Sequence, residues 1–134
     1  MKILKKNNND ILLSYYDEKI EKLLLLLEKQ KEQIRFLDYG NGLEASRIAA
    51  SNKKLVVSLQ QLDLKIEKIE ESLPGSSAVI EKTDHIFSLI DQARRNHEII
   101  EPGMEKCLAD MKQDLNQIEI KRQLHTFLHV QQGC

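Results

Sequence analysis

His125 and His129 stand four residues apart, a spacing that puts two imidazoles on one face of a helix. That is how a helix offers two ligands to zinc. The glutamate that follows the first histidine in zinc proteases is missing, because Thr126 stands there. A di-metal helical bundle needs inward Glu-x-x-His pairs. Three residues before His85, His97, His125 and His129 the chain has Lys82, Arg94, Arg122 and Thr126. His97 lies among Arg94, Arg95, Asn96 and Glu98 with no identifiable catalytic partner. Gly40-Asn41-Gly42 is too short for a phosphate-cradling loop and lacks the following Lys-Ser or Lys-Thr. No strand-turn-helix context places a serine, histidine and aspartate together. Carboxylates alternate with lysines, as in Glu18-Lys19 and Glu67-Lys68, which is the pattern of a solvated helix face. The sequence therefore predicts no enzyme, no resident metal and no cofactor.

Composition narrows the partners. The chain has 134 residues, 41% hydrophobic and 31% charged, with a formal net charge of −1. That length suits one domain, taken as residues 1–134. A basic face or excess would mark a nucleic-acid binder, and neither is present overall. Without tryptophan and with 4% aromatics, the chain has little with which to stack bases. Lys2, Lys5 and Lys6 read as part of a solvated tail over 1–9, and Arg94-Arg95 and Lys121-Arg122 as surface charges. The basic start runs into Asn7-Asn8-Asn9-Asp10, polar where a secretory signal needs an apolar core. Leu23 to Leu27 are flanked by Lys22 and Glu28 and are far too short to span a bilayer. The expectation is a cytoplasmic protein with no membrane insertion and no nucleic acid. Cys107 and Cys134 make no disulfide framework, and Cys107 reads as a small hydrophobe.

What the chain has in abundance is helical periodicity. Leu13, Tyr16, Ile20, Leu23, Leu27, Gln30, Ile34 and Leu37 alternate three and four apart, as do Leu55, Leu59, Leu62, Ile66, Ile69 and Leu73. This spacing draws one stripe down each helix, and each stripe must be buried against another helix. Asp10 is the expected N-cap of the first helix. Gly40-Asn41-Gly42 ends that helix and Pro74-Gly75 ends the second, with Ser76 or Ser77 capping the third. The reading is helices over about 11–38, 43–73 and 77–130, the first two folding back through a short loop. The fold class is all-α: an antiparallel helical hairpin and a long, kinked third helix, as a three- to four-helix bundle or coiled coil. Gln30 and Asn52 fall on the seams, either setting register or sitting at frayed edges.

Pro102-Gly103 interrupts the third segment. Either the helix kinks at 101–103 and continues, or the chain turns back and closes a four-helix core. Ile99, Ile100 and Met104 crowd the break, where a turn would be more polar, so the kinked helix is favoured. It would then overhang the hairpin. Met104, Leu108, Met111, Leu115 and Ile118, extended by Leu124 and Leu128, would form an exposed apolar stripe in need of a partner.

The whole chain resembles the small helical export chaperones of the bacterial flagellar type III secretion system, of the FlgN and FliT type. The resemblance is carried by size, helix order and two stretches, Asn52-Lys53-Lys54-Leu55-Val56-Val57-Ser58-Leu59-Gln60-Gln61-Leu62-Asp63 and Ile90-Asp91-Gln92-Ala93-Arg94-Arg95-Asn96-His97-Glu98-Ile99-Ile100. Pro102-Gly103 departs from the uninterrupted helix of that pattern. The resemblance implies a non-enzymatic chaperone. It would hold an amphipathic helix of an exported flagellar protein, hook-associated or cap type, by helix-in-groove recognition. The methionines Met104 and Met111 suit such an adaptable surface. The rival expectation is a structural or adaptor coiled coil whose seam makes a homodimer.

Overall fold

The computed structural model describes residues 8–70 and 77–132, with side chains through Thr126. Three α-helices pack together and, among the described residues, there are no strands. They are α1 (Asn8–Asp38), α2 (Gly42–Glu70) and α3 (Ser77–Gln132). The expected breaks at Pro74-Gly75 and the cap at Ser76 lie outside the described residues.

Because α1 begins at Asn8, Asp10 stands inside the first turn and not ahead of it as its cap. Its carboxylate there still faces the positive end of the helix dipole. The C-terminus of α1 is closed by a Schellman motif. Gly40 takes φ 73°, its N–H reaches Leu37 O at 3.0 Å, and Asn41 N–H reaches Phe36 O at 2.8 Å. Asn41 then caps α2, its Oδ1 accepting from Glu44 N–H at 3.2 Å.

The hairpin is antiparallel. Lys19 pairs with Asp63, and Tyr16 donates to Glu70 near the far end of α2. The third helix runs parallel to α1. Lys82 meets Asp17, Gln30 meets Ala93 and Asn96, and Gly103 lies against Leu37. Thus α1 is the middle element, packed on both neighbours, while α2 and α3 scarcely touch each other. The core joins Leu12, Tyr16, Leu23, Leu26 and Leu27 of α1 to Leu59, Leu62 and Ile66 of α2 and Ile86 and Leu89 of α3.

The helix continues through Pro102, so the alternative of a fourth, folded-back helix is not what the chain adopts. The proline removes the one hydrogen bond that its missing N–H would have given to Glu98 O. Two close approaches dock this stretch on the hairpin's closed end. A Cβ on Gly103 would stand 3.1 Å from Leu37 Cδ1, and one on Gly42 would stand 3.1 Å from Cys107 Cβ. Glycine at both places lets the helices meet at short range.

Candidate helix-binding surface

At ~1.5 Å per residue α1 and α2 are ~46 and ~44 Å long, whereas α3 is ~84 Å. Cys107 packs closely on the hairpin at Gly42, and Met111, whose Sδ lies beside the same glycine, is the last residue of α3 placed against it. From Lys112 to Thr126 every side chain is exposed. Leu108 is 53% exposed, Leu115 63%, and Met111, Ile118 and Leu124 are also exposed. Met104 is half-buried. The side chain of Leu128 lies outside the described residues.

Met104, Leu108, Met111, Leu115 and Ile118 share one line on α3. Leu124 does not belong to it. Six residues beyond Ile118, at about 100° per residue, it falls about 120° around the helix from that line. There it accompanies exposed Ile120 on another face.

The line does not begin in open solvent. It leads out of a groove between α2 and α3 whose floor is α1. One cavity of about 520 Å³ lies over Leu26, Gln30 and Gln33, between Asn52 and Val56 on one side and Ile100 and Met104 on the other. Another, of about 290 Å³, lies between Gly42 and Ser46 on one wall and Met104, Leu108 and Met111 on the other. The two share Met104 and Glu105, so groove and stripe form one apolar track. Its rim carries charge: Lys53 on α2, and Glu101 and Glu105 on α3.

Polar groups cross the bundle at mid-height. Gln30 Nε2 donates to Ala93 O at 3.1 Å, and Asn96 Nδ2 donates to Gln30 Oε1 at 3.1 Å. Gln30 is 6% exposed and Asn52 8%, so both seam residues sit inside the bundle and not at frayed edges. Among the described residues, Asn52 Oδ1 is buried without a hydrogen-bond partner. Asn96 was named from the sequence but not placed on the packed face. Its place three residues after Ala93 on the packed face was the available signal.

At the other end of the bundle Tyr16 is buried, and burial pushes its phenol up to about 12. The hydrogen bond to Glu70 and that carboxylate's charge contribute to this same rise, which the Thr83 hydroxyl partly offsets. This phenol stays protonated and holds α1 to α2.

Among the described residues no group of three or more His, Cys, Asp or Glu side chains is placed to hold a metal ion. His97 is exposed and lies 3.5 Å from Glu101, and His125 is exposed on the free part of α3. The side chain of His129 lies outside the described residues. Cys107 is half-buried against Gly42, as a small hydrophobe would be. No described helix is long and apolar enough to cross a membrane. Comparison with family models, with curated proteins and with solved structures finds no match for this chain.

Proposed function

We propose that the protein is a non-enzymatic, cytoplasmic chaperone that holds an amphipathic helix of an exported flagellar subunit on the free part of α3. The observation that carries this reading is the apolar track, which leaves the α2–α3 groove at Met104 and continues exposed through Leu108, Met111, Leu115 and Ile118. A contiguous apolar surface of this kind on a charged helix marks a site of association. Its shape suits a helix laid along α3 with anchors three and four apart. The flagellar assignment rests on the sequence resemblance.

The test uses Leu115→Asp and a labelled peptide carrying the terminal amphipathic helix of a hook-associated or cap subunit. Leu115 is exposed, so the variant should keep its helicity and melting temperature and lose the peptide. Equal binding by the two proteins, or no binding by the natural chain to any such peptide, would overturn the proposal. A structural coiled-coil role is the second reading, favoured by the regular 4,3,4,3 spacing of the same exposed residues. A single monomeric mass at all concentrations would remove it.

A further inference from the structure

We infer that the free part of α3 pairs antiparallel with the same segment of a second copy, in a register set by two charge pairs. The inference stands apart from the client reading, although both use one stripe, so client and second copy compete.

The argument starts from the heptad frame. Leu108 and Leu115 take one core position, and Met111 and Ile118 the other. The residues flanking this core are Lys112 and Glu119 along one edge and Asp114 and Lys121 along the other. All four are exposed. Glu119 also lies 3.4 Å from Arg122 and 3.5 Å from Gln123 within its own helix.

In a parallel pair the two edges of different chains face each other. That sets Asp114 beside the second copy's Glu119, a repulsive contact made twice by symmetry. In an antiparallel pair each edge faces its own kind. One register then sets Lys112 beside the second copy's Glu119 and Asp114 beside the second copy's Lys121. Each contact occurs twice, so four attractive pairs form around one two-fold axis. The same register stacks Leu115 on the second copy's Ile118, twice, at the centre. Outside these layers Met111 meets Arg122, whose aliphatic stem covers the thioether while its guanidinium reaches water. Leu108 meets His125 at the ends. Moving the register by one heptad toward the hairpin would make the core more apolar. It would also set Lys112 against Lys112 and Asp114 against Asp114 across the axis, which the charges oppose.

In this register residues 112–121 of each copy, ~15 Å of helix, pair wholly beyond the two hairpins. Residues 122–125 of each copy reach Met111 and Leu108 of the other at the mouth of its groove. The two bundles sit at opposite ends of the paired segment. With only two fully apolar central layers, the dimer should be weak and readily exchangeable.

Sedimentation of the full chain across a concentration series tests the inference. We expect a reversible monomer–dimer equilibrium that weakens with added salt. Lys112→Glu alone and Glu119→Lys alone should each raise the dimer Kd about tenfold, by turning two attractions into repulsions. The double variant, Lys112→Glu with Glu119→Lys, should restore it. Unchanged helicity and melting of all three confirms that the bundle is intact. A chain that stays monomeric throughout, a dimer indifferent to these changes, or a double variant no tighter than the singles overturns the inference. So does tighter pairing of Glu119→Lys, which a parallel dimer would show because Asp114 would then face lysine. None of these outcomes depends on peptide binding, so the two proposals fail separately.

Discussion

Replacing Leu62 by alanine should destabilise the protein far more than the same change at Leu115, although both leucines fall on a heptad line. Leu62 is 3% exposed and belongs to the core shared with α1, whereas Leu115 is 63% exposed. Leucine to alanine removes three carbon atoms. At ~0.8 kcal/mol per buried methylene the transfer loss at Leu62 is ~2.4 kcal/mol. A residual cavity raises this toward 5 kcal/mol where the site cannot collapse, within the range of about 2–5 kcal/mol seen for such changes. The open side of the bundle gives α2 some freedom to settle onto α1, so we expect about 3 kcal/mol, in the lower half of that range. For a domain of this size that lowers the melting temperature by roughly 10 °C. At Leu115 the leucine is mostly hydrated in the folded monomer, and the loss should stay within about 0.5 kcal/mol. Urea denaturation followed by circular dichroism, at a protein concentration low enough to keep the chain monomeric, measures both. A cost below about 1 kcal/mol at Leu62, or above it at Leu115, would falsify the assignment of one line to the core and the other to the surface.

Two further outcomes follow from the buried polar groups. The folded protein holds the Tyr16 proton to about 12, while the unfolded chain releases it near the model value of 10.0. Stability from this group is therefore fully present below pH 10 and is lost as pH rises toward 12, by about 2–3 kcal/mol. Tyr16→Phe should cost about 1 kcal/mol at neutral pH, from the lost hydrogen bond to Glu70. Its deficit against the natural chain should shrink and then reverse between pH 10 and 12 in parallel urea titrations. A deficit that does not change with pH would refute this account. Asn52→Leu removes an acceptor that is buried without a partner among the described residues, and should raise the urea midpoint by about 1 kcal/mol of stability at unchanged slope. A lowered midpoint would show that the carboxamide does hold something in solution.

The hairpin was legible because its signals agree. Leucines at three and four apart define the seams, and Gly40 supplies the left-handed residue where the first seam stops. The breadth of α1's buried face was not legible. The seam through Leu13, Ile20, Ile34 and Leu37 marks a direction, and these four are only half-buried, while Leu12, Leu26 and Gln33 beside it are buried. Periodicity gives the centre of a stripe, and its width depends on how many helices pack there, here two on α1. The course of the chain at Pro102 was open for a related reason. A proline deletes one hydrogen bond, and whether the helix survives depends on neighbours such as Leu37 and Gly42 that hold it just past the break, at Gly103 and Cys107. The exposed stripe from Leu108 to Ile118 was readable from spacing, but Leu124 was attached to it by apolarity alone and lies on a different face. The groove was invisible in sequence, since it arises where two helices fail to meet.

That gap between α2 and α3 has a mechanical consequence. Each outer helix is fastened to the bundle through α1 and has little else to hold it. The arrangement is that of two covers on a spine. Opening α2 breaks its contacts with α1 and leaves α3 in place, and the reverse holds for α3. Hydrogen exchange should therefore divide the molecule into separately opening leaves, with the amides of α1 the last to exchange because they are exposed only when both covers lift. Either cover can therefore shift relative to the other with little change at the spine, so the width of the groove is the softest dimension of the bundle.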